Sequence, residues 1–175
     1  MNAEEDYGFD VAGFLHLRQV LTPTEVAACN RALDAADGQN GDAELSGELR
    51  VLEEHPVLQR YLESLCGDGF IMDRRPSILD PAEQESPAAR LMAGDPERKR
   101  RLRYSSSGGL RVCYGVRVIW ALAPTGDDGS VVLVSASHKR SMEPPADLFR
   151  GEYDLATVEP VLQVGDLLLC AATTL

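Results

Sequence analysis

Val118-Ile119-Trp120-Ala121-Leu122, then Gly126-Asp127-Asp128-Gly129, then Ser137-His138-Lys139 form the stretch on which the fold of this chain turns. β-Branched and aromatic residues fill the run from Leu110 to Ala123, a composition that suits a pleated, half-buried strand. The Gly126 to Gly129 segment is a turn signal, because Asp-Gly supplies the positive φ of a tight turn. Ser130 to Ser135 returns as a strand, so the spacing predicts an antiparallel hairpin across that turn.

Beyond this block, a loop with Pro144-Pro145 and a short helix to Arg150 are expected. Two last strands follow, Thr157 to Val164 and Asp166 to Ala172, parted by Gly165. Toward the amino terminus the character becomes helical. Thr22-Pro23-Thr24-Glu25 is a capping box with proline at the first helical position, and Val26, Cys29, Leu33 and Ala36 then recur on one face until Gly38. A second helix begins at Pro56 and turns Val57, Leu58, Tyr61, Leu62 and Leu65 inward, ending near Gly67. Gly13 to Leu17 reads as a short strand ahead of the first of these helices. Gly38 to Gly47 reads as a loop, and Arg74 to Arg103, broken by four prolines, has no regular period. Helices first and strands afterwards predict an α+β domain spanning 1–175, with helices packed against a mostly antiparallel sheet or jelly roll.

Composition narrows the function. The 175 residues are 44% hydrophobic and 26% charged, ordinary for one globular domain. A net charge of −11 repels phosphate backbones and anionic lipid, so neither nucleic acid nor membrane is an expected partner. Cys29, Cys66, Cys113 and Cys170 are far apart and form no CxxC pair, which reads as reduced, buried thiols. Met1 to Asp10 is acidic without an apolar stretch, unlike a signal peptide, and Val116 to Ala123 is too short to span a bilayer. A cytoplasmic protein is expected.

The opening block resembles the one found in phytanoyl-CoA-dioxygenase-like proteins, where a strand ending in W-A-L precedes a G-D-G-G type turn and a strand leading to P-G-S-H-K. Gly13-Phe14-Leu15 with its capped helix resembles that family's opening. Val164-Gly165-Asp166-Leu167-Leu168-Leu169 resembles its penultimate G-D strand. The resemblance implies a double-stranded β-helix (a cupin-like jelly roll) with the amino-terminal helices outside. It also implies Fe(II) held by two histidines and a carboxylate, 2-oxoglutarate as cosubstrate, and hydroxylation of an organic small molecule. Three ligands on one face of the iron leave open positions for the keto acid and oxygen.

The chain departs from that pattern. It has only His16, His55 and His138, and none is followed two residues later by Asp or Glu. The family's distal histidine would come about where Leu175 stands. The barrel is therefore expected to be incomplete at its carboxy-terminal strands, to be inactive as it stands, and to self-associate through an exposed sheet edge. Asp95 and His138 are the candidate metal ligands, beside Asp73 near the same region. His138 otherwise pins the loop after the hairpin, and His16 and His55 read as surface or capping residues. Asp127 and Asp128 are read as turn formers. The basic run Arg98 to Arg103 is read as solvated surface. Arg111 and Arg117, six apart in one expected strand and so on one face, are the candidate anion-binding pair for the cosubstrate. Two other readings stay open: a catalytically silent jelly-roll binding module, and a cupin-like isomerase or epimerase.

Overall fold

The computed structural model describes residues 1–35, 47–73, 76–78, 102–125, 131–142 and 157–174. Among the described residues four α-helices and seven short strands run in the order α1 (Ala3–Ala12), β1 (Phe14–Leu17), α2 (Pro23–Ala35), α3 (Val51–Glu54), α4 (Pro56–Cys66), β2 (Tyr104–Ser107), β3 (Leu110–Cys113), β4 (Val116–Trp120), β5 (Leu133–Val134), β6 (Thr157–Val158) and β7 (Leu167–Ala171). All strand pairs are antiparallel: β1-β7-β4 in one sheet, β2-β3 and β5-β6 in two hairpin-sized sheets.

The core is organised by β7. Its run Leu-Leu-Leu-Cys-Ala is fully buried on both faces, and an apolar strand without alternation needs cover on each side. Leu167, Leu169 and Ala171 face Phe9 of α1 and Leu58, Tyr61 and Leu65 of α4. Leu168 and Cys170 face the other way, against Val131, Leu133 and Leu162 from the β5-β6 side. The flanking strands keep the same phase. Val116, Val118 and Trp120 pack toward the helices, whereas Ile119 and Phe14 pack toward the second layer.

The helix starts follow the expected chemistry. At α2, Thr22 Oγ1 accepts from the Glu25 amide at 3.3 Å, and the Glu25 carboxylate accepts from the Thr22 amide at 2.8 Å. At α4, His55 Nδ1 accepts from the Val57 amide at 3.2 Å, with Pro56 at the first helical position. Helix α1 is an addition to the sequence reading. Asn2 and Glu5 form a second capping box, and Glu4, Glu5 and Asp6 complement the helix dipole in its first turn.

The strands correct the expected hairpin. Leu110 to Ala123 is two strands, broken at Tyr114-Gly115, where a Cβ on Gly115 would sit 2.9 Å from the Leu102 side chain. β3 pairs back with β2 through Gly108-Gly109, both at positive φ. β4 pairs with β7 and β5 with β6, so β4 and β5 are not partners. The cause is β7, whose buried backbone needs a strand on each side and takes β1 and β4. The turn from Gly126 to Gly129, the loop at Pro144-Pro145 and the basic run Arg98 to Arg101 lie outside the described residues. Of the expected strand from Thr157 to Val164, only Thr157–Val158 is extended and paired.

Candidate functional site

The face of the main sheet that looks toward β5 and β6 carries the polar groups best placed for chemistry. Arg117 is out of phase with Val116 and Val118 and shares the Ile119 face, directly opposite Cys170 on β7. Burial pushes the Cys170 thiol up to about 12, and the neighbouring guanidinium acts in the opposite direction.

At the end of this face Gly165 and Asp166 form a knot. Asp166 is buried and accepts from the Gln19 amide at 2.8 Å, the Gln163 amide at 2.9 Å and His16 Nε2 at 2.7 Å. Burial alone would raise its pKa, but the two amides and the imidazole outweigh that and hold the carboxyl below its usual range. Gly165 is required here twice. Its φ is +91°, and a Cβ would lie 2.7 Å from the Leu21 carbonyl oxygen. His16 is thus the partner of a buried carboxylate rather than a surface residue. The apolar run that follows Asp166 in the sequence gave a strand, but the pairing with His16 depends on the β1–β7 register and has no local signal.

His138 is 3% exposed and sits at the opposite end, beneath α1. Its Nε2 lies 3.0 Å from the Asp10 carbonyl oxygen, and since a carbonyl only accepts, Nε2 carries the proton. Tyr104 stacks edge-on against the ring at 4.5 Å. The Asp10 side chain ties the cluster further, accepting from Tyr104 at 2.5 Å and Lys139 at 2.8 Å. Burial drives the His138 pKa below its ordinary value, so the imidazole is neutral. The lone-pair nitrogen Nδ1 has no hydrogen-bond partner. It is pressed against Gly13, where an added Cβ would fall 2.3 Å from it. Nothing the size of a coordinated ion fits between them.

The expected anion pair is divided. Arg111 lies on β3, where its guanidinium ion-pairs with Asp6 and donates to the Ser64 carbonyl at 2.8 Å. Arg117 lies on β4 in a different sheet, because the break at Tyr114-Gly115 ends the common face. His55 caps α4, and Asp95, Asp127 and Asp128 lie outside the described residues. Among the described residues no three His, Cys, Asp or Glu side chains converge as an iron ion requires. The side chains in hand do not fit a two-histidine, one-carboxylate iron centre. An open groove of about 570 Å³ between α2 and Val164 is lined by Leu21, Val26 and Asn30 among others, with no carboxylate or imidazole.

No known protein-family profile and no curated protein matches the sequence. Solved structures do match. The chain resembles HygX from Streptomyces hygroscopicus, solved with nickel, 2-oxoglutarate and hygromycin B, at a TM-score of 0.68 and 18% identity over 99% of this chain and 79% of that one. HygX with iron bound gives 0.67 and 18% over 99% and 78%. The epimerase SnoN, in complex with Fe3+, alpha ketoglutarate and nogalamycin RO, gives 0.60 and 17% over 98% and 74%. At such identities the likeness establishes the fold alone, one shared with these proteins over nearly the whole of this chain. Among the described residues no helix is long and apolar enough to cross a membrane.

Proposed function

We propose that this chain is a domain of the Fe(II) and 2-oxoglutarate oxygenase class, nearest in its motifs to the phytanoyl-CoA-dioxygenase-like proteins, that takes a small organic molecule. The observation that carries the proposal is the likeness over nearly the whole chain to enzymes solved with iron, 2-oxoglutarate and natural-product ligands. The residue favoured for the cosubstrate stands on the face of the main sheet turned toward the β5-β6 layer, beside the packed side chains of Ile119 and Cys170. Arg117 on that face is the candidate anchor for a carboxylate, because a guanidinium presents paired donors to it. Arg111, on another sheet, is engaged by Asp6 and Ser64.

The described residues supply scaffold rather than a working iron centre. His16 serves Asp166, His55 serves α4 and His138 serves α1, so none is available to iron. Those same three engagements favour a second reading, a catalytically silent binding module built on the oxygenase fold. Anaerobic Fe(II) titration followed by 2-oxoglutarate turnover tests both. The chain as it stands is expected to bind iron only as an acidic surface does and to leave 2-oxoglutarate unconsumed. Turnover by a form carrying residues after Leu175 supports the oxygenase; silence there moves the assignment to the binding module. Stoichiometric iron on the present chain, lost in His138→Ala, overturns the structural role of that histidine.

A further inference from the structure

Helix α4 ends on Cys66 and strand β3 ends on Cys113, two residues 47 positions apart whose segments the fold brings side by side against one core cluster. Both are free cysteines. Cys113 is 5% exposed and belongs to the core cluster under the helices, and Cys66 is half-buried and packs against that cluster. The contact is held by its surroundings. Arg111, two residues before Cys113, donates to the carbonyl of Ser64, two residues before Cys66. Gly67 caps the helix just beyond, its amide donating to the Glu63 carbonyl at 3.0 Å. The Cys113 sulfur also lies 3.4 Å from the Gly115 carbonyl oxygen. Neither Cys29 nor Cys170 has such a neighbour: Cys29 contacts the Glu48 carbonyl, and Cys170 is fully buried within β7.

We propose that Cys66 and Cys113 form a redox-responsive pair, closing to a disulfide that tethers the end of α4 to β3 when the protein meets a peroxide. Such a bond constrains no element that the reduced fold has not already fixed, since Arg111 and Ser64 hold the same two segments together. Cys66 is the less buried of the two and marks the side from which peroxide reaches the pair, while Cys113 is the better nucleophile. The Cys66 thiol donates to the Cys113 sulfur and holds that thiol below its ordinary range.

The chemistry balances with hydrogen peroxide as oxidant. The Cys113 sulfur attacks one peroxide oxygen, the O–O bond breaks, and the departing hydroxide leaves as water with the thiol proton, giving a sulfenic acid. The Cys66 sulfur then attacks the sulfenic sulfur and displaces its hydroxyl, which leaves as water with the Cys66 proton. Two thiols lose two electrons and two hydrogens, and one peroxide becomes two waters. A thiol reductant reverses the bond.

The test is stoichiometric hydrogen peroxide on the full chain, followed by alkylation, unreduced digestion and mass mapping. The expected product is a single cross-linked peptide joining Cys66 to Cys113, two hydrogens lighter and reopened by dithiothreitol, with Cys29 and Cys170 still alkylatable after unfolding. The oxidised chain should unfold at a higher temperature, on the order of 10 °C, because closing the long segment between the two cysteines restricts the unfolded chain. Cys113→Ser and Cys66→Ser, each checked for native circular dichroism, should show no peroxide-dependent shift. Cross-links through Cys29 or Cys170 would overturn the proposal. So would carriage of Cys66 or Cys113 to sulfinic acid without a cross-link, or a Cys66–Cys113 bond that lowers the unfolding temperature.

Discussion

Replacing Gly13 with alanine should be among the most damaging single-methyl changes in the protein. Gly13 ends α1 at φ +86°, where a side chain strains the backbone by about 1 kcal/mol. The new Cβ would also fall 2.3 Å from His138 Nδ1 and 2.9 Å from Thr174 Oγ1, so the imidazole has to move. Moving it loosens the Nε2 bond to the Asp10 carbonyl, worth about 1 kcal/mol, and the edge-on contact with Tyr104, worth about 0.5 to 1.5 kcal/mol. The sum is about 3 kcal/mol. Gly69 supplies the control, since it too has positive φ (+77°) but nothing within 4 Å of an added Cβ. Gly69→Ala should therefore cost about 1 kcal/mol, and the gain from a stiffer unfolded chain cancels between the two variants. Urea unfolding followed by far-ultraviolet circular dichroism gives both values. Equal losses would refute the claim that Gly13 is fixed by its contact with His138 rather than by its dihedral alone.

Thr22→Ala should cost on the order of 1 kcal/mol in the same assay, through loss of the cap on α2, while Thr22→Ser should not. Stability should also fall with acid in two steps. The folded state holds the His138 pKa below its unfolded value, so the unfolded chain binds the proton more readily and stability declines as pH drops below about 6.5, by up to about 1.4 kcal/mol per unit. His138→Gln should flatten that slope. Asp166 is held below its ordinary value of 3.8, so its contribution is present above that pH and is lost as pH falls through the folded value, a second decline that Asp166→Asn should remove.

The parts of this protein legible in its sequence are those written in local chemistry. The Thr22 box, the Pro56 start, the apolar face of α4 and the strand after Asp166 need only neighbouring residues, and the structure has each of them. What the sequence misplaced depends on partners far along the chain. The turn signal points β4 to the strand that follows it and cannot reveal that β7 takes its edge. Arg111 and Arg117 fell on one face by counting in twos, and the count failed at Gly115, where close packing on Leu102 and Ala172 breaks the strand. Helix α1 was hidden by its acidity, although Asn2 and Glu5 repeat the capping logic of Thr22 and Glu25. The bond between His16 and Asp166, and the contact of Cys66 with Cys113, join residues with no common motif.

Nitrogen-15 spectra of the three histidines during an anaerobic Fe(II) titration in the presence of 2-oxoglutarate test the central claim most directly. If the histidines belong to the scaffold, all three lines persist at one equivalent of iron, with His138 in the tautomer protonated at Nε2. Selective loss of two of the three lines at one equivalent, reversed by chelation, would contradict the account and place an iron centre on residues assigned here to structure.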